Sequence, residues 1–320
     1  MRILVTGGAG FIGSNLVEKL LQDARVSKVR VLDNLATGSL QNISEFIPHP
    51  KFEFMEGDIR SYPTCLQACT NMDRVSHQAA LGSVPRSIKD PLITNDVNIT
   101  GTLHIFNAAR ETKIKRIVYA GSSSTYGDHP GLPKKEELIG NPLSPYAVSK
   151  YVNELYAAVF SSLYGLEIIG LRYFNIFGPR QNPGGPYAAV IPLFIKAILN
   201  NQSALINGDG SHSRDFTYVD NAVQANILSL FTENKNALNQ VFNIACGDQV
   251  TLLQLFDMLA KIGGSKLRPE HGPERKGDVK HSMADITKAK QLIKYDPLVS
   301  TQEGLKKTFE WYEHQKEVKV

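Results

Sequence analysis

The sequence predicts an α/β protein, a doubly wound parallel sheet followed by a smaller C-terminal α/β lobe, and two observations carry that prediction. Short apolar runs alternate with helical patterns through the first half of the chain, and a glycine-rich turn separates the first run from the first helix. Alternation of this kind is the pattern of βαβ units, whose helices cover both faces of a parallel sheet.

Taken in order, the first strand is Ile3 to Val5. Gly7, Gly10 and Gly13 follow it directly, and Ser14 to Leu21 continues as an apolar-faced helix. Further strands fall at Val29 to Asp33, Phe52 to Met55, Arg74 to His77 and Ile117 to Tyr119, and a sixth, Ile168 to Tyr173, follows a helix that begins near Tyr146. Beyond about residue 175 the texture changes. Phe177 to Tyr187 is rich in Gly and Pro, and after it helices are interrupted by short strands such as Phe242 to Ala245. The expected division is a sheet domain over 1–175 and a substrate lobe over 176–320, with some chain crossing between them.

At 320 residues and 42% hydrophobic content, the chain can bury a large core. Its net charge of +4 comes from 35 basic and 31 acidic residues spread along the sequence, so no basic run marks a nucleic-acid surface, whereas an acidic small substrate fits. No stretch approaches a membrane span, and the first glycine comes too early for a signal-peptide apolar region. The three cysteines are an odd count unsuited to a secreted disulfide framework. A cytoplasmic protein without a membrane partner is expected. Cys65 and Cys69 lack nearby His or acidic groups and read as packing residues rather than metal ligands.

Without Cβ atoms, Gly7, Gly10 and Gly13 let the turn tighten and let backbone N–H groups approach a pyrophosphate at the helix N-terminus. A purely structural strand-to-helix turn is the alternative. Asp33 weakens that alternative, because it ends the second strand 20 residues after Gly13, where a carboxylate accepts from both ribose hydroxyls of a dinucleotide. It also repels a 2′-phosphate, and its neighbours Asn34 and Leu35 include no arginine, which favours NAD over NADP. Asp58 and Ile59 end the third strand where they would border an adenine, although turn capping explains Asp58 nearly as well.

Tyr146 and Lys150 stand at i and i+4 on one face of a helix. A free phenol titrates near 10, so a close cation and an oxidised nicotinamide are what make it a base at neutral pH. The cluster Gly121 to Gly127, with Ser122, Ser123 and Ser124, follows the strand ending at Ala120, where open α/β sheets place ligands. For any single serine a polar turn competes with a catalytic hydroxyl.

Together the Gly7 to Gly13 fingerprint, the serine cluster and Tyr146 with Lys150 resemble the extended short-chain dehydrogenase/reductase family, especially its nucleotide-sugar branch. Further motifs are similar to that branch: His77-Gln78-Ala79-Ala80, Asn98 before Gly101-Thr102, Leu171 to Asn175, Arg214-Asp215-Phe216 with Val219-Asp220, and Arg275 with Gly277-Asp278. The stretches Ser122 to Pro133 and Asn141 to Tyr146 are similar to those of bacterial UDP-N-acetylglucosamine 4-epimerases. The resemblance implies a Rossmann fold and NAD held by Gly7, Gly10, Phe11, Ile12, Gly13, Asp33, Asn34, Asp58, Ile59, Gln78, Ala79, Ala80, Asn98, Tyr146, Lys150 and Tyr173. It implies Tyr146 as base and acid, Lys150 as its electrostatic partner, and Ser122 as catalytic hydroxyl, with Ser123 and Ser124 as helpers. The UDP-sugar would meet Asn175, Arg214 and Arg275 through its UDP moiety and Gly82, Ser83, Gln181, Ala189 and Ser282 at the sugar, with Ser122, Ser123, Ser124, Val190 and Asp278 as further substrate contacts. Structural ion pairs to Asp215 or Asp278 are the other reading of the two arginines.

Relatives that remove water or carbon dioxide usually carry an acidic residue one or two places after the catalytic hydroxyl. Ser123 and Ser124 occupy those places here, so the resemblance implies 4-epimerisation of a UDP-hexose rather than dehydration or decarboxylation. Epimerases confined to plain glucose and galactose often hold a bulky Tyr where this chain has Ser282, which implies room for an acetamido group and a UDP-GlcNAc/UDP-GalNAc preference. A non-catalytic NAD-binding module is the reading from a different class. The apolar faces of Asn95 to Glu111 and Tyr146 to Tyr164 correspond to the family's four-helix homodimer contact, although packing on the sheet explains the same faces.

Overall fold

A computed structural model describes residues 1–184, 188–274 and 279–317. Strands β1 (Arg2–Thr6), β2 (Lys28–Asp33), β3 (Phe52–Glu56), β4 (Arg74–His77), β5 (Arg116–Ser122) and β6 (Glu167–Tyr173) fall where the apolar runs put them. All are parallel, and the seven-stranded sheet runs in the order β11-β6-β5-β4-β1-β2-β3, its last strand being Val241–Ile244. The chain winds outward one way through β2 and β3, then returns to place β4 on the other side of β1. That reversal opens a crevice beyond the carboxyl ends of β1 and β4, the position where such sheets bind ligands.

The period-2 alternation of strands explains why these runs are apolar throughout. Ile3 and Val5 enter one core and Leu4 the other, just as Val118 and Ile117 do on β5. Helices α1 (Phe11–Gln22) and α8 (Val219–Phe231) cover the first face through Leu16, Val17, Leu20, Ala222 and Ala225. On the second face lie α2 (Tyr62–Cys69), α5 (Gly101–Glu111) and α6 (Pro145–Tyr164), and Cys65 and Cys69 are packed there. Burial pushes both thiols up to about 12.

The helix expected from Asn95 to Glu111 is interrupted. After the short α3 (Val84–Lys89) and α4 (Pro91–Asn95), residues Asp96–Thr100 form a π-helical turn before α5 begins at Gly101. Such bulges are common beside functional sites. Here it directs Asn98 inward, where its carboxamide accepts from Leu81 N (2.8 Å) and donates to Leu81 O (3.2 Å) and to Ser149 Oγ (3.1 Å).

In the C-terminal half, α7 (Val190–Leu199), α9 (Leu252–Ile262) and α11 (Thr301–Glu317) pack together, with Phe194 and Phe256 edge to face at 5.5 Å. Three two-stranded pairs support this lobe: β7 (Ile176–Phe177) with β10 (Thr217–Tyr218), β8 (Leu205–Asn207) with β13 (Glu270–Gly272), and β9 (Ser213–Arg214) with β12 (Val250–Thr251). The same half also sends β11 into the large sheet beside β6, in register from Val241 opposite Gly170 to Ile244 opposite Tyr173, and lays α8 beneath it. Arg180, in the Gly- and Pro-rich loop, pairs with Glu18 of α1 and with Glu45. None of the described helices is long and apolar enough to cross a membrane.

Candidate active site

A cavity of about 890 Å³ lies over the carboxyl ends of β1, β4, β5 and β6. Gly7, Gly10, Phe11, Ile12 and Gly13 form one wall; Asp33, Asn34, Asp58 and Ile59 flank them. Gln78, Ala79, Ala80, Gly82, Ser83, Ser122, Ser123, Ser124, Tyr146, Lys150, Tyr173 and Asn175 line the remainder. Residues from distant parts of the chain therefore meet in a single space.

Gly7 has φ +68°, a conformation side chains rarely adopt, and its N–H is tied to Leu32 O at 2.8 Å. A Cβ on Gly13 would stand 2.1 Å from Gly7 O, so only glycine permits this turn. The α1 N-cap, Gly10, has no side chain to occupy the first-turn N–H groups, which leaves them for an anion. Asp33 is held rigid by Ala9 N (2.9 Å) and Leu35 N (2.8 Å), with acceptor capacity to spare for a diol. Burial raises its carboxyl above the ordinary range, and those two backbone donors oppose the rise. Asn34 Nδ2 donates to Asp58 at 2.8 Å, and Arg60 clamps the same carboxylate, holding it down at about 2. A pyrophosphate cradle, a diol acceptor and an adenine rim in one cavity fit an NAD molecule. Arg60 also lines the cavity, and its spacing of two from Asp58 was the available signal for that role.

At the end of β4, His77 is buried between two threonines, Thr6 Oγ1 at 2.6 Å from Nδ1 and Thr102 Oγ1 at 2.9 Å from Nε2. Thr102 donates its own proton to Asn98 O, which assigns the imidazole proton to Nε2. Burial, with Lys150 nearby, lowers the imidazole to about 3, so it is a neutral spacer between β1 and the π turn.

The reacting groups converge from β5 and α6. Ser144 caps α6 by accepting from Ala147 N at 3.1 Å, with Pro145 at its first position, and this start orients Tyr146 and Lys150 one turn apart. Ser122 Oγ lies 2.8 Å from Ser124 Oγ and accepts from Ser124 N at 3.2 Å. Burial raises the Tyr146 phenol, while hydrogen bonding to Ser122 draws it down. Lys150 Nζ donates to Ala120 O at 2.9 Å and stands 6.0 Å from the Tyr146 ring centroid. The ammonium is thus anchored to β5 on the side of the Tyr146 ring.

Some expected contacts lie elsewhere. Asn98 does not line the cavity, because its amide is spent on Leu81 and Ser149; it fixes the Leu81 backbone and the turn of α6 bearing Lys150. Gln181, Ala189, Val190, Arg214 and Ser282 also fall outside the cavity lining. Gln181 Nε2 donates to Ile176 O at 3.3 Å, and Tyr312 donates to its carbonyl. Ala189 is exposed at the start of α7, with Val190 beside it. Arg214 donates to the carbonyls of Ser213 (2.9 Å) and Lys280 (3.1 Å), and Ser282 N donates to Ser213 O at 3.1 Å. Asp215 accepts from the backbone N–H groups of Cys246, Gly247 and Ala284, binding the strands around Arg214 and Ser282 together. Arg275 and Asp278 lie outside the described residues.

Comparison with known proteins gives this architecture a lineage. Residues 3–245 match the NAD dependent epimerase/dehydratase family. A putative UDP-glucose 4-epimerase of Methanocaldococcus jannaschii is 40% identical over 311 residues, spanning 97% of both chains. Among solved structures, a UDP-N-acetylglucosamine 4-epimerase of Methanobrevibacter ruminantium, in complex with UDP-N-acetylmuramic acid, superposes with a TM-score of 0.92 at 40% identity, covering 98% of each chain. A UDP-glucose 4-epimerase of Thermotoga maritima with UDP-glucose gives a TM-score of 0.92 at 37% identity, over 99% of this chain and 100% of that one. The chain belongs to the NAD dependent epimerase/dehydratase family.

Proposed function

We propose that the chain is a UDP-hexose 4-epimerase whose preferred pair is UDP-GlcNAc and UDP-GalNAc, with UDP-Glc and UDP-Gal as secondary substrates. The observation that carries this reading is one cavity lined by a dinucleotide cradle, by Ser122 and Tyr146, and by Lys150 one helical turn along from Tyr146. Ser123 and Ser124 stand where an added acid would serve elimination or decarboxylation.

Bound in this cavity, NAD would supply a reversible hydride acceptor for sugar C4. The chain's own residues manage the proton. Tyr146 takes it from the 4-hydroxyl as the carbonyl forms and gives it back when the alcohol is restored, so acid and base are one group. Ser122, oriented by Ser124, hydrogen-bonds the reacting oxygen. The Lys150 charge favours the phenolate through space. Asp33 would hold the adenosine ribose of the cofactor, and the Gly7 to Gly13 turn would receive its pyrophosphate.

Asn175, Arg214 and Arg275 are proposed to hold the UDP moiety, where a guanidinium fork suits phosphate oxygens, and Asp278 is proposed as a further substrate contact. Gly82, Ser83, Gln181, Ala189, Val190 and Ser282 are proposed around the sugar. Residues 1–175 act as the cofactor side and 176–320 as the substrate side, and the enzyme works as a cytoplasmic homodimer.

Incubation of the protein with UDP-GlcNAc, UDP-Glc and UDP-glucuronate, read by mass and proton NMR, tests this. A C4-inverted product of unchanged mass is expected, with kcat/KM higher for the acetylated sugar. Ser282→Tyr is expected to lower kcat/KM for the acetylated pair roughly 10- to 100-fold, as overpacking does, and to spare the plain pair. Loss of water or carbon dioxide from any substrate overturns the reaction assigned; equal losses for both sugar classes overturn the role of Ser282.

A further inference from the structure

We propose that Asn226, on α8 beneath the sheet, is a positioning residue for the cofactor cleft: its carboxamide fixes Gln78 and Tyr173 on either side of β5. The inference rests on the reading of the cavity as the NAD-dependent site.

Asn226 is fully buried, and every polar position of its amide is used. Nδ2 donates to Ala222 O, one helical turn back, at 2.8 Å and to the Tyr173 hydroxyl at 2.7 Å. Oδ1 accepts from Gln78 Nε2 at 2.9 Å and from Ser76 Oγ at 3.2 Å. Tyr173 passes its own proton to Gln78 Oε1 at 3.0 Å, and Gln78 Nε2 also donates to Ser76 Oγ at 3.0 Å. The direction of each bond is forced. Ala222 O can only accept, so the Asn226 amide cannot turn over; Gln78 then has one orientation, and so does the Tyr173 hydroxyl.

Gln78 follows β4 and Tyr173 ends β6, while β5 runs between those strands. Ala120, which accepts from Lys150, and Ser122 both lie on β5. The ring of bonds therefore spans the strand that presents the reacting serine and anchors the lysine. A buried amide is costly unless fully bonded. A leucine would satisfy packing at this helix position but release Gln78 and Tyr173 from α8, leaving them held only to each other and to Ser76.

The test uses Asn226→Leu, Tyr173→Phe and the double variant, each checked for folding by circular dichroism. NAD affinity of the NAD-free protein is measured by calorimetry, and kcat and KM with a UDP-hexose. Asn226→Leu is expected to weaken NAD about ten-fold, the scale of one coupled hydrogen bond, and to lower kcat with KM for the sugar within about two-fold. Tyr173→Phe should add less in that background than in the wild type. A folded Asn226→Leu with wild-type NAD affinity and kcat, or strictly additive effects, overturns the proposal. Should Asn226→Leu fail to fold, Ser76→Ala removes a single donor to Oδ1, and unchanged NAD affinity in it overturns the proposal equally. A wild type that binds NAD but converts no UDP-hexose defeats the functional reading alone, and the NAD measurements still decide Asn226.

Discussion

Lys150 is kept charged in a place that disfavours charge. Its side chain is buried, and burial lowers the ammonium from its ordinary 10.5 to about 8. The sign follows from linkage: the folded value lies below the unfolded one, so the cost is present in full below about pH 8 and is relieved as pH climbs from about 8 to 10.5. That difference corresponds to about 3 kcal/mol. Lys150→Met removes it and leaves Ala120 O without its donor, which returns roughly 1 kcal/mol. The variant is therefore expected to be about 2 kcal/mol more stable than the wild type at pH 7 in the NAD-free state, with the gain shrinking above pH 8, while kcat falls by a factor on the order of 10² to 10⁴. Thermal melts across that pH range, paired with turnover, check both halves; an unchanged or lower melting temperature at pH 7 overturns the argument. The identity of this residue was readable from its spacing to Tyr146, because one helical turn is a local rule. Its anchor on β5 was not readable, since Ala120 is 30 residues away and only the packed sheet brings them together.

At the level of elements, the glycine turn and α1 act as one device. The turn must bring Gly7 O against the first residues of the helix, and Gly13 is the residue whose side chain would collide with that carbonyl. Gly13→Ala is expected to displace the turn, costing at least about 2 kcal/mol of stability, as overpacking does, and weakening NAD by more than about ten-fold. Calorimetry with NAD on the folded variant checks it; retained affinity would show that the turn can relax. The strands that flank this device were legible because both faces are covered, which forces uninterrupted apolar runs such as Ile3 to Val5. The glycines were legible because strand, turn and helix are contiguous. By contrast, the π turn at Asp96–Thr100 was not read from the sequence, where Asn95 to Glu111 passed for one uninterrupted helix. Phe242 announced a strand, but its place opposite Leu171 of β6 is a matter of chain return over 71 residues. Asn226 reads as an ordinary helix residue for the same reason: its partners arrive from β4 and β6.

Among the described residues, α6 carries an apolar stripe that the fold of a single chain does not cover. On α6, Val148, Leu155, Val159 and Leu163 are 45%, 50%, 48% and 68% exposed, at spacings that put them on one face. The opposite face of the same helix buries Lys150, Asn153, Ala157 and Phe160 against the sheet. Packing on the sheet thus explains half of the helix's apolar character and leaves the outer stripe unexplained. Ile88 and Leu92, 63% and 81% exposed, add apolar surface on α3 and α4, which pack beside α6. An exposed apolar stripe of this kind marks an association surface, and a stripe along one helix face suits a two-fold contact between copies of the chain. We therefore expect a dimer in sedimentation at micromolar concentration. Leu155→Glu sets two carboxylates into the centre of that contact, and is expected to give a folded monomer that still carries NAD, because the cradle lies on other elements. Because the stripe shares a helix with Tyr146 and Lys150, the monomer should lose kcat rather than NAD affinity. A wild type that sediments as a monomer removes the homodimer, and a Leu155→Glu protein that remains dimeric moves the contact to another face.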